Sequence, residues 1–288
     1  MHEEKAQALG LSRLEPLANF VTPRAVLFRR ILGFKDETVS QREKRHAQRH
    51  AVGEQFPLKV VLNVQGRDED ATLNQTRDGR GRNWTVQVVN LSSSGARLRV
   101  PSALYVQRGD TCTLTLIIGN FVIVQRGTVA HFRTQNTHAM LGMAFGPAAP
   151  EMQKSYLQLL EPLSLGESLR PVPAKRVAQD TPGQHKEQYH GSEDSLLTIW
   201  RVGAGGPVNA FEYRMRQCYA RGAAAFADLQ VFVLEDKPRQ NYASTTLQPS
   251  PSHAREIQTL FRWIVPNLSS AVPEDAREFL ARFAQSGR

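Results

Sequence analysis

Two short constellations in this chain have the residue types and spacing to hold an anionic, hydrogen-bonding ligand. The first is Arg45-His-Ala-Gln-Arg49, an R-x-x-x-R motif to which Arg42 and Lys44 add charge. Guanidiniums four residues apart lie ~6 Å apart on a helix face, or up to ~13 Å apart on an extended chain. Each is a planar fork that grips phosphate oxygens or the O6/N7 edge of guanine with two hydrogen bonds, and its face stacks on a base. Alone, the motif also reads as a solvated charge run. The second constellation is Asn90-Leu-Ser92-Ser-Ser-Gly95. On an extended strand Asn90 and Ser92 share one face while Leu91 takes the other. An amide and a hydroxyl then face a base edge or a phosphate, beside a turn whose glycine permits φ > 0 and close approach. By itself this is also the composition of an ordinary Ser/Gly turn.

Other candidates carry less. Gly203-Ala-Gly-Gly-Pro lacks the Lys-Ser/Thr and the following helix of a phosphate loop, and it reads as a hairpin turn. His46 and His50 stand four apart with no Cys or third His beside them, so no metal site is expected. Arg77-Asp-Gly-Arg-Gly-Arg reads as a solvated loop. No nucleophile–base or paired-carboxylate spacing is present. The chain is therefore expected to do no catalysis and to need no cofactor.

Strands must position the two motifs. Leu58, Val60, Leu62 and Val64 alternate with Lys59, Val61 and Asn63. Similar runs recur at 84–91, 96–100, 113–118, 121–132 and 139–145, separated by turn signals such as Ser94-Gly95, Arg108-Gly-Asp and Gly119-Asn120. Six short strands predict a small antiparallel β-barrel or sandwich. A polar loop at 66–83 joins the first two. Met152, Tyr156, Leu157, Leu159 and Leu160 then follow helical spacing and predict a closing helix. Residues 164–192, with Pro171, Pro173, Pro182 and Gly183, read as a Pro-rich linker. Residues 193–288 read as an α+β unit. Its strands are expected at 196–202, 209–217 and 229–234, the last apolar enough to be central, with helices at 253–265 and after Pro273. Residues 1–40 form an N-terminal arm in which Val26, Leu27, Arg29, Arg30 and Ile31 suit a short amphipathic helix. The expected layout is thus an arm at 1–40, a barrel at 41–163, a linker at 164–192 and the α+β unit at 193–288.

Taken together, R-x-x-x-R before the first strand and [D/N]-x-S-x-x-G after the second make residues 41–160 resemble the PilZ domain family. The strand ending Gly142-Met-Ala-Phe145 is similar to the family's closing motif, and a helix follows it. The resemblance implies a mainly β fold and binding of the bacterial second messenger cyclic di-GMP. It gives Arg45 and Arg49 the phosphates and guanine faces, Asn90 a guanine edge, Ser92 a ligand contact, and Gly95 the room for it. Arg42 and Lys44 stand as additional contacts. Three departures are visible: residues 49–57 make a longer link than usual into the first strand, Asn90 takes the amide option of the second motif, and the 66–83 loop is long. The reading that follows is an effector that passes ligand binding, by reordering its arm, to an output unit at 193–288 and an unidentified protein partner. A ligand-independent adaptor is the alternative, and a nucleic-acid-binding protein ranks third.

Composition sets the outer bounds. Of 288 residues, 41% are hydrophobic and 22% charged, which suits an ordinary globular chain and excludes a disordered or collagenous one. The longest apolar stretch, 114–118 with 121–124, falls short of the ~20 residues of a membrane span, so no transmembrane segment is expected. The first residues, MHEEKAQALG, lack the apolar core of a secretory signal. Two cysteines far apart, Cys112 and Cys218, fit a reduced, cytoplasmic setting in which both pack as small hydrophobes. The net charge is +9, and residues 41–146 hold 14 Lys/Arg against 7 Asp/Glu, or +7 of it. Such a field attracts phosphate-bearing partners. Within 36–51 only Val39, Ala47 and Ala51 are apolar. Ordering a residue costs ~1–2 kcal/mol, so this segment is expected to stay mobile until a ligand anchors it.

Overall fold

A computed structural model describes residues 44, 47–66, 81–234, 247–249 and 251–285. The expected helix in the arm and most of the expected 66–83 loop lie outside the described residues.

Alternation builds the first sheet. Its strands are β1 (His50–Ala51), β2 (Leu58–Gly66), β3 (Asn83–Thr85), β4 (Gln87–Ser92), β5 (Gly95–Pro101), β6 (Thr111–Ile118), β7 (Phe121–Thr134) and β8 (His138–Phe145). Val60, Leu62, Val64, Cys112, Leu114, Leu116 and Ile118 point inward and are buried, as a period of two requires on a one-sided sheet. The strands run antiparallel in the order β1-β4-β5-β8-β7-β6-β2-β3. This corrects the closed six-stranded barrel: the sheet has eight strands and curls into a half-barrel. The physical reason lies at Val86. There the expected 84–91 strand breaks, because the Val86 N–H donates to Val60 O while the residues after it turn to pair with β5. The residues before it pair with β2. One run thus serves two neighbours at opposite ends of the strand order, and the short β1 adds the eighth strand.

The helix after β8 is α1 (Pro150–Glu167), with a proline in its first turn where the missing N–H costs nothing. Every residue from Tyr156 to Gly166 is buried. A helix buried all round has partners on every side, and here they come from both halves of the chain. Residues 164–192, expected as a linker, carry the end of α1, the two-residue β9 (Arg170–Pro171) and β10 (Gln184–His190). Composition hides β10 because only Tyr189 of its seven residues is buried.

Next come β11 (Leu196–Val202), β12 (Val208–Met215), β13 (Cys218–Ala223), β14 (Gln230–Leu234) and β15 (Leu247–Pro249). With β9 and β10 they form a seven-stranded antiparallel sheet in the order β15-β14-β13-β12-β11-β10-β9. β12 is its middle strand. The apolar β14, expected to be central, is next to the edge and half-exposed. Two helices, α2 (Ala254–Ile264) and α3 (Glu274–Gln285), cover one face. Phe211 of β12 stacks on Phe261 at 5.5 Å and meets Phe279 and Phe283 edge-on. Arg201 ties β11 to the start of α3 through a paired contact with Asp275, and its hydrogen bonding, with its charge as a lesser cause, holds that carboxyl below the ordinary range.

The two sheets share one continuous core. Trp263 of α2 reaches across to Phe56 and Phe121, edge-on at 6.4 Å each. The Tyr213 hydroxyl of β12 donates to Leu165 O of α1 at 3.0 Å. Both cysteines are free and buried. Burial, with Asp110 as a lesser cause, pushes the Cys112 thiol up to about 12. Burial, with Glu256 as a lesser cause, does the same to Cys218. Thiolate is the reactive form, so the native chain should resist iodoacetamide at pH 8 and label at both positions once denatured. Rapid labelling of the native protein would contradict this packing.

Candidate functional site

β1 carries the first motif to the second. His50 pairs with Leu91 and Ala51 with Asn90, so residue 49 arrives beside the start of the N-x-S-x-x-G turn. There Arg49 donates from Nη1 to Asn90 Oδ1 at 2.9 Å, on exposed surface. That bond takes the amide oxygen as acceptor and leaves the Asn90 NH2 as the donor end of the side chain. Arg49 keeps most of its five N–H donors.

The other expected site residues are distributed as follows. Arg42 and Arg45 lie outside the described residues, and Lys44 is exposed. Ser92 is only 2% exposed. Its hydroxyl donates to Gly95 O at 3.3 Å and lies 3.5 Å from the Ser94 hydroxyl, so it is engaged within the turn. Below it the Tyr156 hydroxyl of α1 donates to Ser92 O at 2.7 Å, fixing the turn to the helix. Burial pushes the Tyr156 phenol well above its ordinary value, and the Arg49 charge opposes this more weakly.

Gly95 leaves the φ > 0 that its turn would permit unused, since it is not among the positive-φ glycines of the described residues. It begins β5, paired with Ala144 of β8, and an added Cβ would run into the carbonyl oxygen of Met143. The glycine is required by close approach of two backbones. Gly95→Ala should therefore cost about 1–3 kcal/mol, the usual range for forcing extra volume into a packed site, read as a lower melting temperature. An unchanged melt would remove this account.

Three exposed groups near the motifs were missed. Arg97 stands directly opposite Asn90 on β5, and Arg97 in turn faces Gly142 on β8, which faces His131 on β7. One row further, Arg99 faces Gln87 and donates to it at 3.3 Å. The available signal was the alternation of Ala96, Leu98 and Val100 with Arg97 and Arg99, which puts both arginines on the solvent face.

On its other side β1 abuts the second half of the chain. His50, 5% exposed, has Nδ1 3.1 Å from Glu167 Oε2 at the end of α1. The Gly53 N–H donates to Asn267 Oδ1 at 2.8 Å, and the Asn267 amide donates to Trp263 O at 2.8 Å. Three residues thus separate Arg49, a side chain on the motif surface, from Gly53, a backbone contact with the turn after α2.

The family model for the PilZ domain matches residues 43–161, a span that holds both motifs. No curated protein matches the chain. Among solved structures, the crystal structure of the Borreliella burgdorferi PlzA protein in complex with c-di-GMP is similar at 8% identity and a TM-score of 0.29, covering 77% of this chain and 97% of that one. Superposition that loose supports no comparison of residues.

Proposed function

With residues 43–161 a PilZ domain, we propose that the chain is a cyclic di-GMP receptor whose arm closes over the ligand and reports binding to residues 193–288. The observation that carries this reading is the Arg49–Asn90 hydrogen bond. It joins the two motifs into one surface with guanidinium donors for a phosphodiester and an amide donor for a guanine edge. Arg45, four residues upstream, supplies the second guanidinium. Ser92 and Gly95 shape the turn that carries Asn90. Binding is the function and no bond of the ligand is made or broken.

Transmission follows from where β1 lies. A ligand gripped by Arg45 and Arg49 draws the arm onto β4, and β1 is continuous with it. The His50–Glu167 and Gly53–Asn267 contacts then carry the altered position to α1 and the turn after α2. A ligand shifts such an equilibrium only by its differential affinity for the two arrangements. An arm that grips the ligand solely when closed provides that difference.

Calorimetric titration of the full chain with cyclic di-GMP tests the receptor reading: saturable heat and a raised melting temperature are expected. Absence of both would overturn it and favour the adaptor alternative. Hydrogen exchange tests the mechanism. Residues 36–50 and 88–96 should gain protection together when ligand is added. If ligand binds while 36–50 exchange equally fast, the arm is not the switch.

A further inference from the structure

Cyclic di-GMP carries two guanines and two phosphates, more than the Arg49–Asn90 pair can engage. The surface beside that pair has a definite chemistry. Residues opposite each other on antiparallel strands have Cβ atoms ~4.5–5.5 Å apart, so Arg97 flanks the Asn90 amide on the side away from Ala51. Arg97 is exposed and has no ion pair among the described residues. The next position in the row is Gly142, and the imidazole of His131 occupies the space a Cβ there would fill. A glycine under a histidine makes a slot that holds the ring across the sheet, while His131 stays exposed. Strands stand ~4.8 Å apart, so the row from Asn90 through Arg97 to the ring extends ~10–14 Å.

We propose that Arg97 and His131 form a second nucleotide subsite continuous with the motif site: Arg97 takes a phosphate or the O6/N7 edge of a guanine, and the His131 ring is a platform for a purine. The inference rests on the cyclic di-GMP reading and extends it from β4 across β5 and β8 to β7. A planar ring on a sheet face stacks on a base whatever its hydrogen-bonding pattern. A guanidinium beside it supplies the charge and the fork. The placement also explains why position 142 has no side chain: a Cβ would displace the ring.

The test is calorimetry of the full chain with cyclic di-GMP, using Arg97→Ala, His131→Ala and His131→Phe, with Arg49→Ala as reference. All three positions are exposed, and thermal melts verify folding. Arg97→Ala should weaken binding about 10-fold or more, since a charge-assisted bond is lost, and flatten the dependence of affinity on salt. His131→Ala should weaken binding about 5- to 150-fold, the range of base–aromatic stacking. His131→Phe, which keeps a ring, should stay within about threefold of the original protein. Affinity unchanged in Arg97→Ala and His131→Ala while Arg49→Ala binds poorly would overturn the second subsite and leave the receptor reading standing. No binding by the original chain would overturn both.

Discussion

Arg49→Ala should weaken cyclic di-GMP binding about 10- to 150-fold and leave the melting temperature of the free protein unchanged. The magnitude follows from the ~1.5–3 kcal/mol that a hydrogen bond to a charged group contributes. The unchanged melt follows from exposure, since the bond to Asn90 is at the surface. Arg45→Ala should lose affinity in the same range. Arg49→Lys should also bind poorly, because an ammonium neither forks nor stacks. The contact with Asn90 adds a sharper expectation. Arg49 fixes which way the Asn90 amide points, so Asn90→Ala should cost less in the Arg49→Ala background than in the original protein, a coupling that a double-mutant cycle measures. Unchanged affinity in both arginine variants would remove the motif from the site. Equal costs of Asn90→Ala in the two backgrounds would separate the two residues.

What could be read from residue order follows the physics of each element. β2, β5 and β6 alternate cleanly because one face of the sheet is buried and the other is wet, so their burial has a period of two. Spacing alone could not say that Arg49 touches Asn90. A separation of 41 residues carries no geometry, and the expectation came from resemblance. The break at Val86 was hidden because it is a change of hydrogen-bonding partner within an unbroken apolar run. β10 was hidden for the opposite reason, being too polar to show a buried face. A glycine in sequence does not say whether φ or a neighbouring carbonyl demands it, and at Gly95 it is the carbonyl of Met143. Arg97 and His131 belong to a row that exists only once four strands are in register.

The junction at β1 changes what the second half of the chain can be. Gly53, like Gly95, sits where an added Cβ would run into a carbonyl oxygen, here that of Pro266. Backbone from the first sheet therefore presses directly on the turn after α2. A strand of two residues, held by β4 on one side and α1 on the other, has little stability of its own. Its position is set by what grips its ends. One end leads to the arginine motif and the other to Asn267.

Trp263→Ala should produce the largest loss of stability, about 3–5 kcal/mol, the usual cost of emptying a buried Trp site. Trp263 is 4% exposed and belongs to α2 of the second half, yet its ring rests on Phe56 and Phe121 of the first. At roughly 2–4 °C per kcal/mol for a chain of this size, the melt should fall by several degrees at least. Its shape should change too. A chain with one continuous core unfolds as a unit, whereas removing the indole that bridges the halves should split one transition into two. Trp200→Ala is the control: that ring is half-exposed on the second sheet, with Lys186 over it at 5.9 Å, and its loss should cost far less. The same substitution tests transmission, because Asn267 is held by the Trp263 carbonyl and backbone position there depends on the ring being seated. With ligand bound, Trp263→Ala should keep the gain in protection at 88–96 and lose any gain at 265–269. If Trp263→Ala melts like Trp200→Ala, the indole does not bridge the halves, and the route from the arginine motif to residues 193–288 runs elsewhere.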